Sequence, residues 1–348
     1  MSDAVVDITA GLMRRLVALA ALAALLLALA GCGGDDGGDT PAENPVAQVP
    51  GDLQEQVRAA QEPQVSEFPK AGGKTLQALA DEIGGGPEMG LAGSVFLAEQ
   101  DNRVAFGVID SDAGFLYGKT ALYVARTPES KAKGPYVAPA DVLVTEAPYR
   151  SQQAATEADP FAAVYAAQVP FGKPGKYAVM AVTLVDGKPV AAPGQLQVTT
   201  ADKDTIPEVG EPAPKVETDT VASAGGDVEA IDTRRPTSDM HANFADQVGK
   251  KPVALLFATP QLCQSRVCGP VVDVALQLRA AYGDQVEFIH QEVYADNDPN
   301  KGLRPPLQDF SLPTEPWLFV VGKDGNVTAR LEGSFGLNAF EQALKTAL

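Results

Sequence analysis

The rhythm of apolar and polar positions changes several times along the chain. Leu16 to Ala30 is an unbroken apolar run of Leu, Ala and Val. Residues 33–72 follow, dominated by Gly, Asp, Pro, Glu and Gln, and read as a tether with a short helix over LQEQVRAAQ. KTLQALADEIG (74–84) has helical spacing and a glycine stop, before the breaker GGGPEMG. From about residue 93 to 200 the runs become short and β-like: SVFLAE, RVAFGVID, ALYVAR, DVLVTEA, AAVYAAQVPF, KYAVMAVTLV and QLQVTT. Strands of this length separated by turn residues predict an antiparallel β-sandwich. Asp186-Gly187 marks a hairpin turn within it. A Pro-rich, charged stretch spans 201–218, and from 236 onward the elements alternate. DMHANFADQVG predicts a helix, KPVALLFAT a buried strand, GPVVDVALQLRAAYGD an amphipathic helix and VEFIHQEVY a strand. WLFVVGKDGNVTARLEG then predicts a hairpin and NAFEQALKTAL a closing helix. Strand–helix–strand followed by a hairpin is an α/β pattern with one parallel crossover.

The N-terminal run is shorter than the roughly 20 residues a spanning helix needs, and Met13-Arg14-Arg15 precedes it, as in a signal peptide. It ends in Leu29-Ala30-Gly31-Cys32, which resembles the lipobox of bacterial lipoproteins. That resemblance implies a signal peptide over 1–31, lipidation of Cys32, and attachment to the extracytoplasmic face of the cell membrane. A disulfide can persist there. The chain carries 45 acidic against 27 basic residues, a formal net charge of −18, which phosphate backbones repel. Nucleic acid is therefore an unexpected partner.

With Cys32 given to lipid, Cys263 and Cys268 are the remaining thiols. At positions five apart on one continuous helix they would be about 140° out of phase, with Cα atoms about 8.7 Å apart. That exceeds the roughly 7 Å reach of a disulfide. Gly269 is a poor helix former and Pro270 lacks an N–H, so the turn is weakened where bridging would require it to unwind. A cysteine at a helix N-terminus has a stabilised thiolate, and Arg266 would add to that.

Residues 205–348 resemble a thioredoxin-fold redoxin. The likeness rests on a cysteine after the first core strand (LLFATPQLC), on Pro316 directly before the strand of EPWLFVVGKDG, and on the Cys263-to-Val286 distance. Val209-Gly210-Glu211-Pro212-Ala213-Pro214 is similar to that family's opening phrase. The resemblance implies a redox pair formed by Cys263 and Cys268, a cis Pro316 packed against it, and protein thiols or disulfides as substrates. Two registers are open. Either Cys263 caps the helix and Pro270 kinks it, or Cys268 caps the helix and Cys263 belongs to the loop before. The distance to Val286 favours the first. Glu315, in place of the usual apolar residue, is a second candidate modulator: it raises the cysteine pKa in opposition to Arg266, relays protons, or faces solvent. Residues 88–200 resemble an immunoglobulin-like sandwich, with Tyr177 where such folds place a corner tyrosine and with no cysteine to form an inter-sheet bridge.

The expected architecture is thus an N-terminal all-β immunoglobulin-like sandwich followed by a C-terminal α/β thioredoxin-like fold. The boundaries are a signal peptide over 1–31, a tether with a short helix over 32–87, a sandwich over 88–200 and a thioredoxin-like domain over 205–348. The expected function is membrane-anchored thiol–disulfide exchange, with no cofactor and no metal. The alternatives are a non-enzymatic adaptor with a structural disulfide, a peroxiredoxin-like peroxidase, and a copper chaperone. A chaperone of this fold would use a histidine after the pair, and His290 lies mid-strand, where a structural role is the expectation. The peroxidase branch places Thr or Ser three residues before its cysteine. Here Pro260 stands at that position and Thr259 one further back.

Overall fold

Among the described residues, nine strands build the β region: β1 (Glu88–Leu91), β2 (Phe96–Leu97), β3 (Gln100–Ile109), β4 (Thr120–Ala125), β5 (Lys133–Val137), β6 (Ala140–Val142), β7 (Ala163–Phe171), β8 (Gly175–Val185) and β9 (Lys188–Thr199). They form two sheets, ordered β1-β3-β7-β6 and β2-β9-β8-β4-β5. All their pairings are antiparallel except β2 with β9. Inward-facing Phe106, Tyr165, Phe171, Val179 and Leu196 share one core between the sheets. Asp186 and Gly187 make the β8–β9 turn, both with positive φ, as a two-residue hairpin requires. The sequence pattern misses β1 and β5. Both are edge strands, and β5 contains Gly134-Pro135, whose missing N–H is harmless at an edge.

This computed structural model describes residues 45–348, apart from 113, 156–160 and 264–266. The apolar N-terminal run, Cys32 and Arg266 therefore lie outside the described residues.

The expected tether is packed where it is described. Helix α1 (Gln54–Ala60) and the turn before it insert Val46, Val49, Val57 and Ala60 into the core. Helix α2 (Leu76–Ile83), capped by the Thr75 hydroxyl, lays Leu76 and Leu79 on the outer face of the β4–β8 pair. A few apolar residues at helical spacing outweigh the Pro- and Gln-rich composition, because each finds a preformed sheet to cover. The stretch 201–218 is likewise bound, with Ile206 and Val216 buried and its backbone bonded to Val327 and Gly325.

The C-terminal region contains α3 (Phe244–Gln247), β10 (Val253–Phe257), α4 (Cys268–Tyr282), β11 (Glu287–Gln291), α5 (Pro305–Asp309), β12 (Trp317–Val321), β13 (Val327–Glu332) and α6 (Leu337–Lys345). Its sheet runs β11-β10-β12-β13, with β10 parallel to β11 and the other pairs antiparallel. This is the strand order and direction of a thioredoxin-like fold. Helices α4 and α6 cover one face, and the core beneath them is continuous with that of the β region.

Polar side chains close the seam between the regions. Asp141 on β6 accepts from the N–H groups of Gly336, Asn338 and Ala339 at 2.7, 2.9 and 3.2 Å, capping α6 from across the seam. Glu332 at the end of β13 accepts from Ser94 and Val95. Asp273 on α4 accepts from the Ser151 N–H and hydroxyl, both at 3.0 Å. Backbone approaches are equally tight. A Cβ on Gly333 would lie 1.4 Å from the Ala92 oxygen, and one on Gly269 would lie 2.5 Å from Gln153 Cβ.

Candidate functional site

Helix α4 begins at Cys268, with Val267 as its N-cap. This corrects the preferred register: Cys268 opens the helix, and Cys263 stands in the turn before it. Pro270 occupies the first helical turn, where an N–H would be unsatisfied in any case. It therefore starts the helix rather than softening its middle. Gly269 serves the close approach of Gln153. The Cys263-to-Val286 length misleads because Cys263 is not on the helix: Leu262 and Cys263 both bond back to the Thr259 carbonyl.

Cys263 and Cys268 are not joined by a disulfide in this structure. Cys268 is fully buried, Cys263 partly exposed, and the two sulfurs are hydrogen-bonded. No helix needs to unwind for them to meet. Burial pushes the Cys268 thiol well above its ordinary pKa, and donation of its S–H to Cys263 pushes it further. A backbone hydrogen bond from Thr259 works in the opposite direction, stabilising the thiolate. The arrangement suits an accessible nucleophile at Cys263 with a protonated, shielded partner at Cys268.

Pro316 directly precedes β12, and its peptide bond to Glu315 is cis. Glu315 is hydrogen-bonded to Tyr294 and lies close enough to Cys263 for their charges to interact. Burial and then the charge of Cys263 raise its pKa, and the Tyr294 contact lowers it. Beside Glu315 and Val267 a cavity of about 310 Å³ opens, walled on the other side by Leu91, Phe115 and Phe161 of the β region. The structure thus brings Cys263, Cys268, Glu315 and Pro316 together.

Behind the thiols lies a set of residues that the sequence pattern does not single out. Ile231 to Arg234 are buried although three of the four are polar. Asp232 accepts from the Ser238 N–H and hydroxyl at 2.7 and 2.8 Å, with His241 Nε2 at 3.3 Å and His290 Nδ1 at 3.6 Å. Thr233 donates to Glu292 from its N–H at 2.8 Å and its hydroxyl at 2.5 Å, and the same hydroxyl accepts from Gln261 N–H. Arg234 pairs with Asp273 at 2.9 Å and donates to the Tyr149 carbonyl. Burial alone would raise the pKa of Asp232, but His290, His241 and Ser238 hold it far below the carboxylate range. Donor atoms of Asp232, His290 and Glu292 converge within 4.8 Å. The carboxylate oxygens already accept from Ser238 and Thr233, so this set is built around protein donors.

No protein-family model and no curated protein matches the chain. Among solved structures it is similar to a protein described as the thiol:disulfide interchange protein DsbE from Chlorobium tepidum. The identity is 16%, over 40% of this chain and 98% of that one, with a TM-score of 0.30. A thioredoxin-family thiol:disulfide interchange protein from Chlorobium tepidum TLS shares 17% over 41% of this chain and 98% of its own, with a TM-score of 0.28. The PKD domain of the human VPS10 domain-containing receptor SorCS2 shares 14% over 50% of this chain and 100% of its own, with a TM-score of 0.18.

Proposed function

We propose that the protein is an extracytoplasmic, lipid-anchored thiol–disulfide oxidoreductase that uses Cys263 as nucleophile and Cys268 as resolving thiol. The observation carrying this reading is the pairing of a partly exposed Cys263 with a buried Cys268 at the start of α4, beside Pro316. The Cys263 thiolate attacks a substrate disulfide. A Cys263–substrate S–S bond forms, and the other substrate sulfur leaves as a thiolate that takes up a proton. Cys268 then loses its proton and attacks the Cys263 sulfur, releasing the second substrate thiol and leaving the protein oxidised by two electrons. The reverse sequence oxidises a dithiol. The cavity beside Glu315 offers room for a substrate side chain. The Leu16–Ala30 run ending in Gly31-Cys32 supports the anchor. Two antiparallel-rich sheets, with the Tyr177 hydroxyl donating to the Lys173 carbonyl at 2.9 Å, support an immunoglobulin-like reading of 88–200.

The test is a redox titration of the protein with alkylated thiols counted by intact mass. The expected result is a reversible two-electron transition above about −250 mV, and Cys268→Ser should accumulate a mixed disulfide on Cys263. A bridge that stays closed below about −300 mV would mark a structural disulfide and reject the reading.

A further inference from the structure

His290 sits on β11, 1% exposed, behind the turn that carries the thiols. Its Nε2 lies 3.0 Å from the Ala258 carbonyl oxygen, which can only accept, so Nε2 carries a hydrogen. Its Nδ1 faces Asp232 Oδ2 at 3.6 Å in a site from which water is excluded. A bare Nδ1 would set a lone pair against a carboxylate; a protonated one makes a buried imidazolium–carboxylate couple. Burial opposes a charged ring, but every group facing it favours the proton, and together they raise its pKa. These groups are Asp232 on the 231–234 segment, Glu292 on the ring's own side of the sheet, and the Ala258 carbonyl after β10. His241 lies further off, with its ring centroid 6.3 Å away and its Nε2 turned to the Ser238 carbonyl at 3.0 Å.

The Ala258 carbonyl belongs to the peptide unit whose other end is the Thr259 N–H. Only a donor stabilises a thiolate, so the Thr259 backbone bond to Cys268 is given by that N–H. A trans peptide points its oxygen and its hydrogen in opposite directions within one plane. The unit therefore runs from Nε2–H through O=C–N–H to sulfur. Ala258 is further tied to β11 by its own N–H, which donates to the Gln291 carbonyl at 3.2 Å. Linked hydrogen bonds polarise one another, most strongly where water is absent.

Resting on the exchange reading above, we propose that His290 is a positioning residue for the resolving step: through the Ala258–Thr259 peptide it orients and polarises the N–H that faces the Cys268 sulfur. Cys268 is protonated at rest and must become a thiolate to attack the Cys263 mixed disulfide. The N–H supplies stabilisation at the sulfur where that charge appears. Asp232 keeps the imidazole charged and its ring fixed.

Stopped-flow reaction of the reduced protein with 5,5′-dithiobis(2-nitrobenzoate) separates the two steps. The first thiolate released reports attack by Cys263 and the second reports resolution by Cys268. His290→Gln should slow the second release by about tenfold, the effect of one unit in thiol pKa, with the first unchanged. Asp232→Asn should act in the same direction with a smaller effect. A folded His290→Gln protein that resolves at the wild-type rate overturns the proposal. Loss of the first release in the wild-type protein would reject the exchange function instead. Should the variants fail to fold, nitrogen-15 NMR of the wild-type protein decides. Protons on both His290 ring nitrogens at pH 7, with a Thr259 amide resonance that moves when the pair is oxidised, are the expected result. A neutral ring with a bare Nδ1 overturns it.

Discussion

The two regions bury their polar groups in different places. In the β region the interior between the sheets is mostly apolar and aromatic, with the neutral Thr120 and Thr183 hydroxyls bonded to each other at 2.9 Å, and the buried carboxylate Asp141 lies at its border with the other region. In the α/β region Asp232, Arg234, Asp273, His290 and Glu292 are buried behind the thiols. The β region's buried carboxylate holds a neighbour, and the α/β region's buried charges hold a reactive turn. Arg234 belongs to both arrangements, since it pairs with Asp273 on α4 and donates to the Tyr149 carbonyl across the seam.

That contrast can be tested by attacking the seam and the turn separately. The largest effect is expected from Arg234→Ala. Arg234 and Asp273 are 3% and 1% exposed, and removal of one partner strands the other charge, at a cost of about 3–5 kcal/mol. Urea unfolding should show it, and the companion change Asp273→Leu in an Arg234→Met background should recover most of the loss. Gly333→Ala comes next, at about 2–4 kcal/mol, because its Cβ would overlap the Ala92 oxygen at a position with φ of 72°. Asp141→Ala should cost about 2–3 kcal/mol by uncapping α6, and should split unfolding into two transitions if the seam is what couples the regions. The smallest effect concerns reactivity. Glu315 has a raised pKa, and above it the carboxylate opposes the Cys263 thiolate. Glu315→Gln should move the alkylation-versus-pH profile of Cys263 to lower pH without a change in stability. An unmoved profile would mean that the carboxylate does not act on the thiol.

The alternating elements of 236–348 were legible because each strand is an apolar run bounded by breakers and each helix keeps its spacing. Cys263, Cys268, Glu315 and Pro316 were singled out through the redoxin resemblance, which rests on local features: a cysteine after an apolar run and a proline directly before a strand. Asp232, Thr233 and Arg234 were not. In sequence, IDTRRP is a polar stretch before a proline and looks like linker. Its meaning depends on His290, Glu292 and Asp273, each about forty residues or more away, and no periodicity encodes such pairings. The register at the start of α4 was misjudged for a related reason, since the close approach of Gln153 to Gly269 is a long-range contact that spacing does not show. The two helices of 45–83 were legible from their spacing, but their packing escaped because composition describes what a stretch could do alone, while burial comes from the sheet it meets.

The cap on α6 also sets an order of events. The helix is made after every strand described above, and the carboxylate that caps it lies 195 residues upstream of Gly336. When α6 leaves the ribosome, Asp141 has already been made. The N-terminal strands can therefore be in place as the surface on which the C-terminal helix closes, whereas an α/β region made alone would have α6 with three unsatisfied amides.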